Sequence, residues 1–182
     1  MVAIAFAAAI SLSYRYAPRF GIDRESVVDF GISILLGGIA GARLFYVLLN
    51  LAYYKANPAE IFDLTKGGLV WYGGFLAGVV VAIVFVKVNR IDFFNGADLL
   101  APFIALAQGI GRIGCLLNGC CYGIRAPEGF PLGVKFPQDG VLRHPAQLYE
   151  AAALFAIFVF LIVLQRSRRF KGEIFLAYAI LY

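Results

Sequence analysis

The sequence predicts an all-α integral membrane protein, built as a polytopic helix bundle. Three observations carry that prediction. First, 62% of the 182 residues are hydrophobic, only 15% are charged, and the mean hydropathy is +0.82. Soluble domains are about half apolar and about 25% charged, so both departures point into a bilayer. Second, the apolar residues gather into runs long enough to cross one. Third, Lys and Arg fall between those runs, where membrane topology places them. The formal net charge of +5 is therefore read as topology, and no nucleic-acid partner is expected. The length suits one membrane-embedded domain, residues 1–182.

A transmembrane helix needs about 20 apolar residues. Apolar segments run at about 1–13, 26–53, 67–88, 95–118, 146–165 and 172–182. The middle four are long enough to span. The outer two are not: Met1 begins inside an apolar run and Tyr182 ends one. The expectation is four full spans and two partial terminal ones, in a chain lacking the start of its first helix and the C-terminal part of its last helices. Arg15, Arg19, Arg24, Lys87, Arg90, Arg166, Arg168, Arg169 and Lys171 put nine positive charges on the odd connections. Lys55, Lys66, Arg125, Lys135 and Arg143 put five on the even ones. The positive-inside rule then sets the odd connections in the cytoplasm and the N-terminus outside. The fourth connection, 119–145, is an extracytoplasmic loop rich in Pro and Gly. It interleaves Pro127, Pro131, Pro137 and Pro145 with Gly123, Gly129, Gly133 and Gly140. It is kinked, strand-like around 132–136, and of a length that usually serves function.

Two arginines lie inside apolar segments: Arg43 in GGIAGARLFYVLL and Arg112 in LAQGIGRIGCLLNG. An arginine at the bilayer centre costs about 2.5–3.5 kcal/mol on insertion scales, so it must meet protein, water or an anion. Its planar fork suits phosphate oxygens. The functional reading is two arginines gripping a phospholipid headgroup. The structural alternative is an ion pair with Asp98 or Glu150, or snorkelling of Arg43. Asn118 follows Arg112 and either caps a helix or orients a ligand. Gly67, Gly68, Gly73 and Gly74 surround Tyr72. They either allow tight helix packing or clear room for Tyr72 to face a cavity. Arg143, His144, Gln147, Tyr149 and Glu150 lead into the fifth apolar segment, with Pro145 at an early helical position. His144 is the only histidine, which excludes a histidine-rich metal site. Cys115, Cys120 and Cys121 offer a thiolate cluster as one reading, but their C-x4-C-C spacing matches no common zinc pattern. They are expected to be small apolar fillers, and no metal or other cofactor is expected.

GGLVWYGG, GRIGCLLNG-x-x-x-G and RHPAQLYE occur in this order. Together they resemble the prolipoprotein diacylglyceryl transferases, and the resemblance covers nearly the whole chain. That family has seven membrane helices with the N-terminus outside. The resemblance implies a multi-pass enzyme of the bacterial inner membrane with its active site toward the extracytoplasmic side. It implies transfer of a diacylglyceryl group from phosphatidylglycerol to the lipobox cysteine of a prolipoprotein. Its partners would be phosphatidylglycerol, prolipoprotein signal peptides and membrane lipids. Arg112 would bind the headgroup, with Asn118 and Gly123 in the same signature. Arg143, His144, Gln147, Tyr149 and Glu150 would line a second wall. Tyr182 matches a tyrosine one helical turn before an essential arginine. Three departures stand out. Tyr72 replaces a family histidine, and a tyrosine, with an ordinary pKa of about 10, acts as a base only where nearby positive charge lowers it. Cys115 and Cys120 replace the usual Asn and Glu, and the chain ends at Tyr182. The alternatives are a divergent homologue using another phospholipid or thiol acceptor, or a non-enzymatic transporter or scaffold. Paired inverted repeats, the mark of many transporters, are not seen.

Overall fold

The computed structural model describes residues 1–65, 67–136 and 140–182. Lys66, counted above for topology, and Pro137 of the fourth connection lie outside the described residues. The chain divides into two compact units, Asp23–Asp92 on the one hand and Met1–Ile22 with Phe93–Tyr182 on the other. Among the described residues four helices are long and apolar enough to cross a membrane: Arg24–Leu49, Trp71–Val88, Phe93–Leu117 and Ala146–Ser167. The protein is an all-α polytopic membrane protein, as its composition required.

The larger unit contains α1 (Val2–Tyr16), α5 (Phe93–Leu117), α6 (Ala146–Leu164) and α7 (Glu173–Leu181). At 1.5 Å per residue, the 15 residues of α1 and the 9 of α7 fall short of a hydrocarbon layer about 30 Å thick. The smaller unit contains α2 (Arg24–Leu49), α3 (Leu51–Ala56) and α4 (Trp71–Val88).

In the smaller unit, Asp23 caps α2 by accepting from the Glu25 N–H at 3.0 Å. The apolar run to residue 53 is not one helix. Asn50 leaves helical geometry, and its Nδ2 donates to the Tyr46 carbonyl at 2.9 Å. That satisfies one orphan carbonyl, and α3 starts afresh. α4 begins at Trp71 rather than at 67, because Gly67 and Gly68 hold φ of +77° and +79°, left-handed values that end helical geometry. α2 and α4 approach through glycine. A Cβ on Gly41 would lie 2.1 Å from the Ala77 Cβ, and one on Gly73 would lie 2.6 Å from the Gly41 carbonyl. Gly73 thus serves close helix contact, as small residues do in membranes. Only 6% of the spanning window of α4 is buried, so its remaining apolar surface is left for lipid.

In the larger unit, α5 is the centre and packs on α1, α6 and α7. Leu99, Phe103, Ala105, Leu161 and Ile174 have almost no exposed surface. The Phe155 ring lies over Gly109, where a Cβ would meet it at 2.7 Å. Asp98 is fully buried. Its Oδ2 accepts from the Gly172 N–H at 2.7 Å and its Oδ1 from the Phe175 N–H at 2.9 Å. Arg168 Nε stands 2.9 Å from Oδ2. The carboxylate thus receives orphan N–H groups at the start of α7, where a helix favours negative charge. Asp98 therefore serves Arg168 and the α7 start, and the alternative that paired it with a mid-span arginine is corrected. The strand-like stretch is real but short. β1 (Val134–Lys135) pairs antiparallel with β2 (Leu142–Arg143).

Candidate active site

The C-terminal end of α5 builds the first part of the site. Gly119 takes φ +67°, the left-handed value that stops a helix. Its N–H donates to the Leu116 carbonyl at 3.0 Å, and the Cys120 N–H donates to the Cys115 carbonyl at 3.0 Å. These two bonds form a Schellman cap, which brings together the side chains three residues inside the helix end and two residues beyond it. Here both are cysteines. Cys121 follows, also left-handed at φ +63°. Its thiol donates toward the Cys120 sulfur at 3.7 Å, and the three sulfurs lie within 4.8 Å of one another. Cys115 and Cys120 are half-buried and Cys121 is exposed. Of the two readings of these cysteines, apolar filler and thiolate cluster, the sulfur geometry favours the cluster. The Asn118 side chain, hydrogen-bonded to Cys120, and the Cys121 thiol beside it hold the Cys120 thiol below its usual range. Cys121 is pushed up because its own proton is held by Cys120.

The loop after Cys121 returns to the start of α6. The Gly123 N–H donates to the His144 carbonyl at 2.9 Å. A Cβ there would stand 3.0 Å from that oxygen, so glycine permits the close approach. Arg143 Nη1 donates to the Gly123 carbonyl at 3.4 Å, and its guanidinium lies 4.5 Å over the Tyr122 ring. His144 Nδ1 is 3.2 Å from the Tyr149 hydroxyl, and the Phe130 ring packs on the imidazole at 4.5 Å. Gln147 is fully buried. Its Nε2 donates to the Cys120 carbonyl at 2.5 Å, while its Oε1 is buried without a partner among the described residues.

Arg112 sits five residues before the end of α5, about 7 Å along the axis. That places it nearer the helix end than mid-span. Its Nε stands 2.5 Å from Glu150 Oε2, with side-chain exposures of 33% and 46%. The structural alternative for Arg112, a protein carboxylate, is thus present. The pair is open rather than sealed, and it engages Nε. Among the described residues Glu150 is the only group that partners the Arg112 guanidinium.

Arg43 behaves differently. It is only 8% exposed, and backbone carbonyls take all of its donors. Nε donates to Ile61 at 2.8 Å. Nη1 donates to Gly67 at 2.9 Å and Gly68 at 3.2 Å. Nη2 donates to Glu60 at 2.6 Å and Asp63 at 2.8 Å. A guanidinium has five N–H groups, so none remains for a phosphate. The headgroup contact expected of Arg43 is corrected to a structural one: it ties the backbone of Glu60, Ile61, Asp63, Gly67 and Gly68 to α2. A cavity of about 310 Å³ opens beside it, lined by Tyr46, Asn50 and Tyr53 among others.

Within the α5–α6 unit, then, the structure gathers Arg112, Asn118, Gly123, Arg143, His144, Gln147, Tyr149 and Glu150. Tyr182, in the same unit, stacks on Tyr178 at 5.7 Å and is 65% exposed, with no recorded bond to that group. Tyr72 lies in the other unit, 70% exposed and edge-on to Trp71 at 5.2 Å. Among the described residues it is absent from the lining of the cavity beside Arg43 and of the one bordered by Val70, Trp71 and Phe75. The sequence reading missed Tyr122 and Phe130, the ring partners of Arg143 and His144. Both are loop aromatics with no periodic pattern to mark them.

Compared with families of known proteins, the chain matches the family described as prolipoprotein diacylglyceryl transferase over residues 1–182. The chain belongs to the prolipoprotein diacylglyceryl transferase family. Similar relatives carry the name phosphatidylglycerol–prolipoprotein diacylglyceryl transferase. The one from Clostridioides difficile is 33% identical, over 94% of this chain and 67% of its own length. That from Clostridium tetani is 32% identical, over 100% of this chain and 74% of its own. That from Listeria welshimeri is 33% identical, over 100% and 69%. The chain thus spans roughly two thirds to three quarters of these relatives. Within the diacylglyceryl transferase family, Arg112 and the Arg143–Glu150 stretch carry the motifs on which the resemblance rested.

Proposed function

We propose that residues 1–182 act as one membrane-embedded transferase domain. It moves a diacylglyceryl group from phosphatidylglycerol to the cysteine thiol of a prolipoprotein lipobox. One observation carries this reading. The two specific motifs, which begin at Gly111 and at Arg143, meet in one unit through the Arg112–Glu150 pair, the Gln147–Cys120 bond and the Gly123–His144 bond. Supporting it, the family and the relatives named above act in lipoprotein modification.

The reaction forms a carbon–sulfur bond and breaks the carbon–oxygen bond to phosphate, so glycerol phosphate leaves with the electron pair. Negative charge on the leaving phosphate needs donors fixed in advance. Glu150 orients Arg112 through Nε, and the Nη groups of the guanidinium receive the phosphate. The thiol must lose its proton, a small demand for a group with an ordinary pKa of about 8.5. His144, whose Nδ1 side is shared with Tyr149, accepts that proton. Asn118, Gly123, Arg143 and Gln147 shape the wall around the headgroup. Tyr182 is assigned to the same site by resemblance. The protein lies in the bacterial inner membrane with the 119–145 loop outside, a placement supported by the nine-to-five distribution of positive charge.

The test reconstitutes the protein in liposomes containing phosphatidylglycerol and adds a lipobox peptide. The expected result is a mass gain of one diacylglyceryl group on the peptide cysteine. An unmodified peptide overturns the reading. Product formed equally with phosphatidylethanolamine overturns the headgroup assignment. In the same assay Tyr72→Phe should keep its rate within about threefold of the parent. Loss of a general base costs about 100-fold or more, so a drop of that size would restore Tyr72 to proton transfer.

A further inference from the structure

The three-cysteine cluster at the end of α5 is not used by the transfer reaction. We propose that Cys115, Cys120 and Cys121 form a binding site for one thiophilic metal cation of the Zn2+ or Cu+ class. Thiolate sulfur selects such soft or borderline ions. The geometry is close to what the ion requires. A zinc–sulfur bond is about 2.3 Å, which sets tetrahedral sulfur–sulfur edges at about 3.8 Å. Cys120 and Cys121 already stand at 3.7 Å, and no two of the three sulfurs are more than 4.8 Å apart.

The site is built by the backbone. The Schellman cap fixes Cys115 and Cys120 on one side through the Cys120 N–H to Cys115 carbonyl bond at 3.0 Å. The left-handed turn at Cys121 then brings in the third sulfur. A non-glycine residue in that region is strained, and such residues gather at ligand clamps. A layer of supporting contacts is also present, and such layers tune metal affinity. Gln147, fully buried, donates to the Cys120 carbonyl at 2.5 Å. The exposed Cys121 leaves an entry path and an open side for a fourth ligand. Cysteines serving as apolar filler would be fully buried, whereas two of these are half-buried and Cys121 is exposed.

The test titrates the reduced protein in detergent micelles with Zn2+ against a chromophoric chelator. A parallel titration uses Co2+ to report thiolate coordination by sulfur-to-cobalt charge-transfer absorption. One ion per chain is expected, with charge-transfer bands. Cys121→Ser, outside the helix and so harmless to it, should weaken binding by about 10-fold or more. The variant with all three cysteines changed to Ser should lose both the binding and the bands. Equal Zn2+ binding by the parent and the triple variant, or a cobalt spectrum without charge-transfer bands, would overturn the proposal. So would a parent that retains no ion once any disulfide is reduced. None of these readouts depends on diacylglyceryl transfer, so the metal site and the transferase reading fail separately.

Discussion

Arg112→Ala lowers the transfer rate by about 1000-fold, and Arg112→Lys recovers only a small part. The size follows from the chemistry. Removing one donor aimed at developing negative charge costs about 100- to 1000-fold in rate. Arg112 supplies the only guanidinium in the α5 signature, and its planar fork carries two Nη groups. Lysine restores the charge but not the planar fork that meets two phosphate oxygens together. Glu150→Gln should cost less, about 10-fold, because it removes the orienting carboxylate and leaves the guanidinium in place. The measurement is the initial rate of peptide lipidation at several phosphatidylglycerol contents. The competing view is that Arg112 serves only its ion pair with Glu150. Both partners are a third to a half exposed, and open pairs contribute only about 0–1 kcal/mol. That view therefore expects both a small stability change and an unchanged rate. A thousandfold rate loss at near-parental stability is incompatible with it. An Arg112→Ala rate within threefold of the parent removes Arg112 from the site.

Much of the fold was legible because hydrocarbon imposes length and polarity together. The apolar run at 146–165 became α6 over Ala146–Leu164, and the run at 95–118 became α5 over Phe93–Leu117. Boundaries slipped where one residue's local geometry decided. Asn50 broke the second run, and Gly67 with Gly68 delayed α4, through backbone angles that hydropathy does not register. The cysteine cluster was half legible. Gly119 after an apolar run signals a helix stop, and a Schellman stop implies that Cys115 and Cys120 meet; the turn at Cys121 is not implied. The Asp98–Arg168 pair joins residues seventy positions apart, and no periodicity announces it. The two arginines were the hardest case. Arg43 and Arg112 both sit beside glycines in apolar runs, and nothing local separates them. What separates them is a chain segment 17 to 25 residues after Arg43 that folds back and offers it five carbonyls.

That difference gives the second large effect: Arg43→Lys should destabilise the α2–α4 unit by about 3 kcal/mol or more. An ammonium has three donors, so at least two of the carbonyls of Glu60, Ile61, Asp63, Gly67 and Gly68 lose their partner. A hydrogen bond to a charged group contributes about 1.5–3 kcal/mol. The position is only 8% exposed, which limits replacement by water. Packing restricts any adjustment. A Cβ on Gly68 would stand 2.7 Å from the Arg43 Nη1 and 2.6 Å from the Tyr46 ring, so the segment is already closed on the guanidinium. For a chain of this size, 1 kcal/mol corresponds to about 2–4 °C in Tm. Thermal unfolding in detergent should therefore fall by about 6 °C or more, and limited proteolysis between residues 57 and 70 should accelerate. A guanidinium that gripped a headgroup would respond otherwise. Its lysine variant would keep its Tm and its protease resistance while the phosphatidylglycerol concentration needed for half-maximal rate increased. The two outcomes are opposite in both readouts, because donors bound to carbonyls hold the fold and only free donors can hold a substrate.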